Sequence, residues 1–128
     1  MKRLAPLWLG AVMAAGVNGA AADPRSTDDA VYTESQAESG AKLYKKHCLG
    51  CHDKKYFGPV LKTWAGQSLG TFYMVMSATM PESNPGGLLE DEYVDVLAYI
   101  FSLNKFPAGD RPLTYKGGAL DEISIGGD

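Results

Sequence analysis

The sequence predicts a small all-α domain of three to four helices, and three observations carry that expectation. Leu69, Phe72, Tyr73 and Met76 fall at i, i+3, i+4 and i+7, the spacing of an amphipathic helix. Tyr93, Val96, Leu97, Ile100 and Leu103 keep one face apolar over a second, longer stretch. Thr33 followed by Gln36 has the form of a capping box and marks a third helix start.

Residues 1–22 read as a segment outside the fold. Lys2 and Arg3 are followed by an apolar run too short to span a bilayer and by Ala20, Ala21 and Ala22, the pattern of a signal peptide cleaved before Asp23. The competing reading is an uncleaved N-terminal anchor. No other stretch is apolar enough to cross a membrane, so no membrane span is expected after cleavage. Export to the periplasm follows from this reading.

Residues 23–33 are polar and carry Pro24, which suggests a flexible N-terminal arm. A helix is expected over 34–46, with Ala37, Ala41 and Tyr44 along one stripe. Gly40 inside it costs roughly 1 kcal/mol relative to alanine, which points to another helix crossing closely there. Residues 53–67 contain Gly58-Pro59 and no sustained period, and read as a loop. Ser68 is a fitting N-cap for the next helix, which should stop before Met80 because Pro81 disfavours helical geometry in the preceding residue.

Residues 83–87 form a dense loop signal, and the strongest helix is expected over 90–103. Glu90, Asp91 and Glu92 suit the positive end of its dipole and offset the poor N-cap Leu89, while Asn104 and Pro107 supply the stop. The domain proper is thus 34–105. The remainder, 106–128, is a C-terminal tail in which Leu113, Leu120, Ile123 and Ile125 are isolated apolar residues; an extended strap is possible, but periodicity does not show it.

The chemistry is concentrated in Cys48-Leu49-Gly50-Cys51-His52. Two cysteines three apart followed by histidine form the attachment pattern for c-type haem: each thiol adds across a porphyrin vinyl group, and the adjacent histidine becomes the proximal iron ligand. One covalently attached haem c per chain is expected, held by Cys48 and Cys51 with His52 on the metal. Export agrees with this, since a bare cysteine pair outside the cytoplasm tends to oxidise and thioether formation consumes both thiols. A core this small also gains from a bound metal group. Two readings without haem compete, a thiol-disulfide couple and a zinc site of His47, Cys48, Cys51 and His52. The first lacks the strand and helix alternation expected around it, and the second asks neighbours in sequence to converge on one ion.

No repeat, Gly-rich phosphate loop or nucleic-acid patch stands out, and no serine, histidine and acid arrangement suggests catalysis. The formal charge is −3. Lys42, Lys45, Lys46, Lys54, Lys55 and Lys62 crowd the cysteine segment, whereas Glu82, Glu90, Asp91, Glu92 and Asp95 lie further on. These are either solvated helix faces or a polarity that steers an acidic partner to the haem edge.

Over roughly residues 32–109 the chain resembles class I cytochromes c. Gly40, Tyr44, Cys48, Cys51 and His52 match the first helix and haem motif of that family. Gly58-Pro59-Val60-Leu61 is similar to its Gly-Pro-x-Leu loop, and Leu97-Ala98-Tyr99-Ile100 to its last helix, whose aromatic meets the first helix beside the glycine. The stretch from Met80-Pro81 to Phe106-Pro107-Ala108-Gly109 looks, more loosely, like haem domains associated with quinoprotein dehydrogenases.

The resemblance implies a class I cytochrome c fold around the haem, a methionine sulfur opposite the histidine, and a carbonyl of Pro59 accepting from His52 Nδ1. Among the downstream methionines, Met76 completes its helix stripe and Met74 lies off that face. Met80 stands before a proline, as the family's ligand does; its alternative is a gap-filling core methionine. Trp64 and Tyr73 either hydrogen-bond a propionate or fill the core as buried aromatics. Asp53 departs from the small residue found in many relatives. His47 is held too near the cysteine side to serve as a distal ligand.

These features imply an electron carrier and not an enzyme. Its partners would be redox proteins: a quinoprotein dehydrogenase as donor, an oxidase or another cytochrome as acceptor. Two alternatives remain, a dehydrogenase subunit, or an open-site haem sensor or enzyme if Met80 is not on the iron.

Overall fold

Thr33 and Gln36 close their capping box in both directions. The Gln36 N–H donates to Thr33 Oγ1 at 3.2 Å, and the Thr33 N–H donates to Gln36 Oε1 at 3.3 Å. This cap starts α1, Glu34–His47, in a computed structural model that describes residues 25–127. Three further helices follow: α2, Phe57–Trp64, α3, Leu69–Thr79, and α4, Glu90–Leu103. At the start of α3, Ser68 accepts from the N–H groups of Gly70 and Thr71. Its end comes where Met80 turns extended, as the following proline requires. Leu89 offers α4 no capping oxygen, and Glu92 instead accepts the Leu89 N–H at 2.8 Å.

The helix α2 corrects the expectation of a loop over 53–67. Pro59 is its third residue, where the N–H that proline lacks would have had no partner inside the helix. Gly58-Pro59 therefore opens a helix instead of breaking one.

The frame of the molecule is the crossing of α1 on α4. A Cβ on Gly40 would lie 1.8 Å from the Asp95 carbonyl oxygen and 3.0 Å from Tyr99 Cβ, so only glycine lets the two backbones approach this closely. One turn along, the Tyr44 and Tyr99 rings meet edge to face at 5.3 Å. Besides the expected stripe, Val94, Ala98 and Phe101 of α4 are buried. Phe101 has Tyr32 on one side at 6.2 Å and Phe106 at 5.7 Å. Segments flanking the helices thus cover a face that periodicity alone leaves open.

Those flanking segments correct a second expectation, that of a flexible arm over 23–33. The described part is fastened. Strand β1, Arg25–Ser26, pairs in parallel with β2, Ile123–Ser124. A 3-10 turn, Thr27–Asp29, follows, and the fully buried Thr27 accepts the Gly126 N–H at 2.9 Å. Val31 and Tyr32 are buried, and the Tyr32 hydroxyl donates to the Phe106 carbonyl at 2.7 Å. The tail is the strap that composition allowed: Leu113, Leu120, Ile123 and Ile125 all enter the core, and the Ile125 N–H donates to the Gln67 carbonyl at 2.8 Å. Residues 1–22, the expected signal peptide, lie outside the described residues. Among the described residues, no helix is long and apolar enough to cross a membrane.

Gln36 ties the strap to α1. Its Oε1 accepts the Leu113 N–H and its Nε2 donates to the Leu113 carbonyl, both at 2.8 Å. Replacing Gln36 with alanine leaves both groups of Leu113 without these partners, at a cost of about 1–3 kcal/mol. Thermal unfolding should register this as a fall in Tm of roughly 5–15 °C. An unchanged Tm would show that water replaces the latch.

Candidate functional site

The cysteine segment is an extension of α1 by one turn. The N–H groups of Cys48 and Leu49 both return to the Tyr44 carbonyl at 2.9 Å, and the His52 N–H returns to the Cys48 carbonyl at 2.9 Å. This winding carries Cys48, Cys51 and His52 onto one wall of a cavity of about 510 Å³. Such a volume is that of a small-molecule or cofactor site. Phe57 of α2 continues this wall, with the His52 ring 5.8 Å from Phe57 and 4.0 Å from Tyr56.

The opposite side comes from α3 and α4. Met76 and Met80 are four apart, and the Met80 N–H still donates to the Met76 carbonyl at 2.8 Å, so both side chains share the face that lines the cavity. Tyr93 and Val96 of α4 reach it together, three apart on their helix. Pro81, Glu82, Ser83 and Leu88 complete the rim. Met74 is 64 % exposed and is not among the residues around the cavity.

The arrangement brings together four of the six residues expected to form the site, namely Cys48, Cys51, His52 and Met80. It keeps two out. Trp64, partly buried against the core, packs edge to face on Phe72 at 5.1 Å and is not among the residues around the cavity. The Pro59 carbonyl accepts the Thr63 hydroxyl at 3.1 Å, and among the described residues no hydrogen bond joins it to His52. Tyr73 is likewise a core residue, stacked against Tyr115 at 4.7 Å. His47, held on the cysteine side as expected, also lines the cavity. Sequence reasoning missed Phe57, Leu88 and Tyr93 as lining residues. Only Tyr93 carried a signal, its place on the apolar stripe of α4.

Chemically the cavity suits haem. Its lining is largely apolar, two free thiols stand beside an imidazole on one wall, and a thioether comes from the other. Cys48 and Cys51 could hold the porphyrin by thioethers, and His52 and Met80 could ligate iron. Burial pushes the Cys48 thiol up. Among the described residues, no group of three His, Cys, Asp or Glu side chains is arranged to hold a metal ion by itself. The six lysines of the cysteine region are all exposed.

Tyr44 supports the cysteine wall from beneath. Its hydroxyl donates to the carbonyls of His52 and Asp53, each at 3.0 Å. Burial first, then the nearby Cys48 and Asp53, push its phenol from 10.0 up to about 12. Burial does the same to Tyr73, also to about 12. The unfolded chain therefore releases these protons before the folded one does. Their contribution to stability is complete below pH 10 and is lost as pH rises through about 12. In the holoprotein, where Cys48 would be an uncharged thioether, burial and Asp53 remain as causes; we expect its Tm to decline as pH rises above 10 and Tyr44→Phe to remove part of the decline. A Tm independent of pH there would contradict the assignment.

A family model described as Cytochrome C oxidase, cbb3-type, subunit III matches residues 35–100, just over half of the chain. No curated protein and no solved structure matches.

Proposed function

The chain belongs to the family that this model describes and is a class I cytochrome c domain, and on that premise we propose an exported, periplasmic carrier of single electrons. One haem c would be attached through Cys48 and Cys51, with His52 and Met80 as its axial ligands. The observation that carries this reading is the meeting of Cys48, Cys51 and His52 with Met80 around one apolar cavity.

Bound haem supplies a one-electron ferric/ferrous couple. The protein supplies the rest. His52 and Met80 would both ligate the iron, which would leave no open position for a substrate and favours a carrier over an enzyme or sensor. A sulfur ligand also sets the potential higher than a second histidine would. Phe57, Met76, Leu88 and Val96 give the site apolar walls. Cys51 and Leu49 are exposed, with the lysines nearby, so this edge is where a redox partner would make a small, transient contact. The charge there favours an acidic partner, and a quinoprotein dehydrogenase as donor with an oxidase or cytochrome as acceptor fits the reading.

A redox titration of purified holoprotein tests it. One reversible single-electron wave per chain, without turnover of small substrates, is expected. Steady oxidation of a substrate by the isolated chain would contradict the carrier reading, and co-purification with a large dehydrogenase would make the chain a subunit.

A further inference from the structure

Two tyrosine hydroxyls, one from each helix of the central crossing, end on the backbone carbonyls of the two residues assigned to the iron. Tyr44 of α1 donates to His52 at 3.0 Å, and Tyr93 of α4 donates to Met80 at 2.6 Å. We propose that Tyr93 is a positioning residue that holds the Met80 segment against the cavity and so sets how firmly the thioether side of the site stays closed; this rests on Met80 being the second ligand.

The two bonds support segments of different strength. His52 lies within a turn tied back to Cys48 at 2.9 Å, and both neighbouring cysteines would be bonded to the porphyrin. Tyr44 therefore adds to a wall already fixed. Met80 is the last point of α3 before an exposed loop, and residues 82–87 are all exposed. The backbone bonds of this loop are local, from the Asn84 N–H to the Pro81 carbonyl and from the Gly87 N–H to the Asn84 carbonyl. Among the described residues, the Tyr93 hydroxyl makes the one hydrogen bond that reaches the 80–87 segment from a different helix. It also lies 3.4 Å from the Ser77 carbonyl, which places the end of α3 and the ligand segment under one donor.

Tyr93 is suited to this task. It is 3 % exposed and its ring meets Tyr73 edge to face at 6.0 Å, so the hydroxyl is aimed by a packed side chain on α4. Removing that hydroxyl leaves the ring packing and deletes its bond to Met80 together with the longer one to Ser77. The open form of the Met80 segment then becomes more populated, and an added ligand competes for the iron at a lower concentration.

The test is an imidazole titration of ferric holoprotein, followed by loss of the red-end absorption band that sulfur ligation produces, in wild type, Tyr93→Phe and Tyr44→Phe. Tyr93→Phe should bind imidazole about five- to tenfold more tightly than wild type, the effect of one lost hydrogen bond. Tyr44→Phe should bind within about twofold of wild type even though its Tm falls. A purely structural role for Tyr93 would move Tm and leave the imidazole affinity where it was, and that result overturns the proposal. So does an equal shift in both variants. Absence of the band in wild type overturns the Met80 assignment itself, a failure distinguishable from the first. Should Tyr93→Phe not accumulate, Tyr93→Leu is read by the same titration, with the same criteria.

Discussion

Replacing Met80 with alanine is expected to abolish the sulfur-ligation band of the ferric protein, lower the reduction potential and open the iron to added ligands. The cavity supplies the reason. Met80 brings its thioether to the space that His52 faces from the other wall, and Met76, the other methionine there, is buried within α3 with 8 % exposure. Met76 lies one helical turn earlier, inside α3, whereas Met80 stands at its end. The potential should fall by on the order of 0.1 V or more, within the ~0.8 V over which axial ligands set haem potentials. Imidazole or azide should bind about 10- to 1,000-fold more tightly, because the wild-type site is open only in a minor population of about 0.1–10 %. A variant that keeps both its band and its potential would remove Met80 from the site.

Gly40→Ala is expected to damage the fold more than any conservative change elsewhere in α1. Alanine gains about 1 kcal/mol of intrinsic helix propensity. Against that, its Cβ would sit 1.8 Å from the Asp95 carbonyl oxygen, a backbone atom that no rotamer change can move. The helices must separate, and overpacking of this kind costs about 1–3 kcal/mol or more. Separation also loosens the Tyr44–Tyr99 contact. The clash exceeds the propensity gain, so we expect a net loss of about 2 kcal/mol and a Tm lower by roughly 10 °C. A Tm equal to or above that of wild type would mean that α1 and α4 do not cross at this glycine.

The parts of the fold that were legible in the sequence are those governed by local physics. The capping box of Thr33 and Gln36, the Ser68 cap, the stop at Met80 and the stripe of α4 each depend on residues within one or two turns. Gly40 was legible for a different reason: a glycine inside a helix has a cost that only a close neighbour offsets. Where local signals mislead, contacts far along the chain decide. Gly58-Pro59 read as a break because eight residues are too few for a period to appear, yet Pro59 falls in a first turn. The order of residues 25–33 depends on pairing with residues about a hundred positions away, as in the contact of Thr27 with Gly126.

The site divides in the same way. Cys48, Cys51 and His52 are contiguous and announce themselves, and Met80 is marked by the proline that follows it. Tyr93 had no such mark, since its hydroxyl acts on a carbonyl 13 residues earlier and only the folded chain brings the two together. Trp64 is not among the residues around the cavity, and its ring packs on Phe72.

The visible absorption spectrum of the purified ferric holoprotein tests the central claim most directly. A low-spin spectrum with the weak red-end band of methionine sulfur is the predicted result, with both axial positions filled by His52 and Met80. A high-spin ferric spectrum without that band would contradict it.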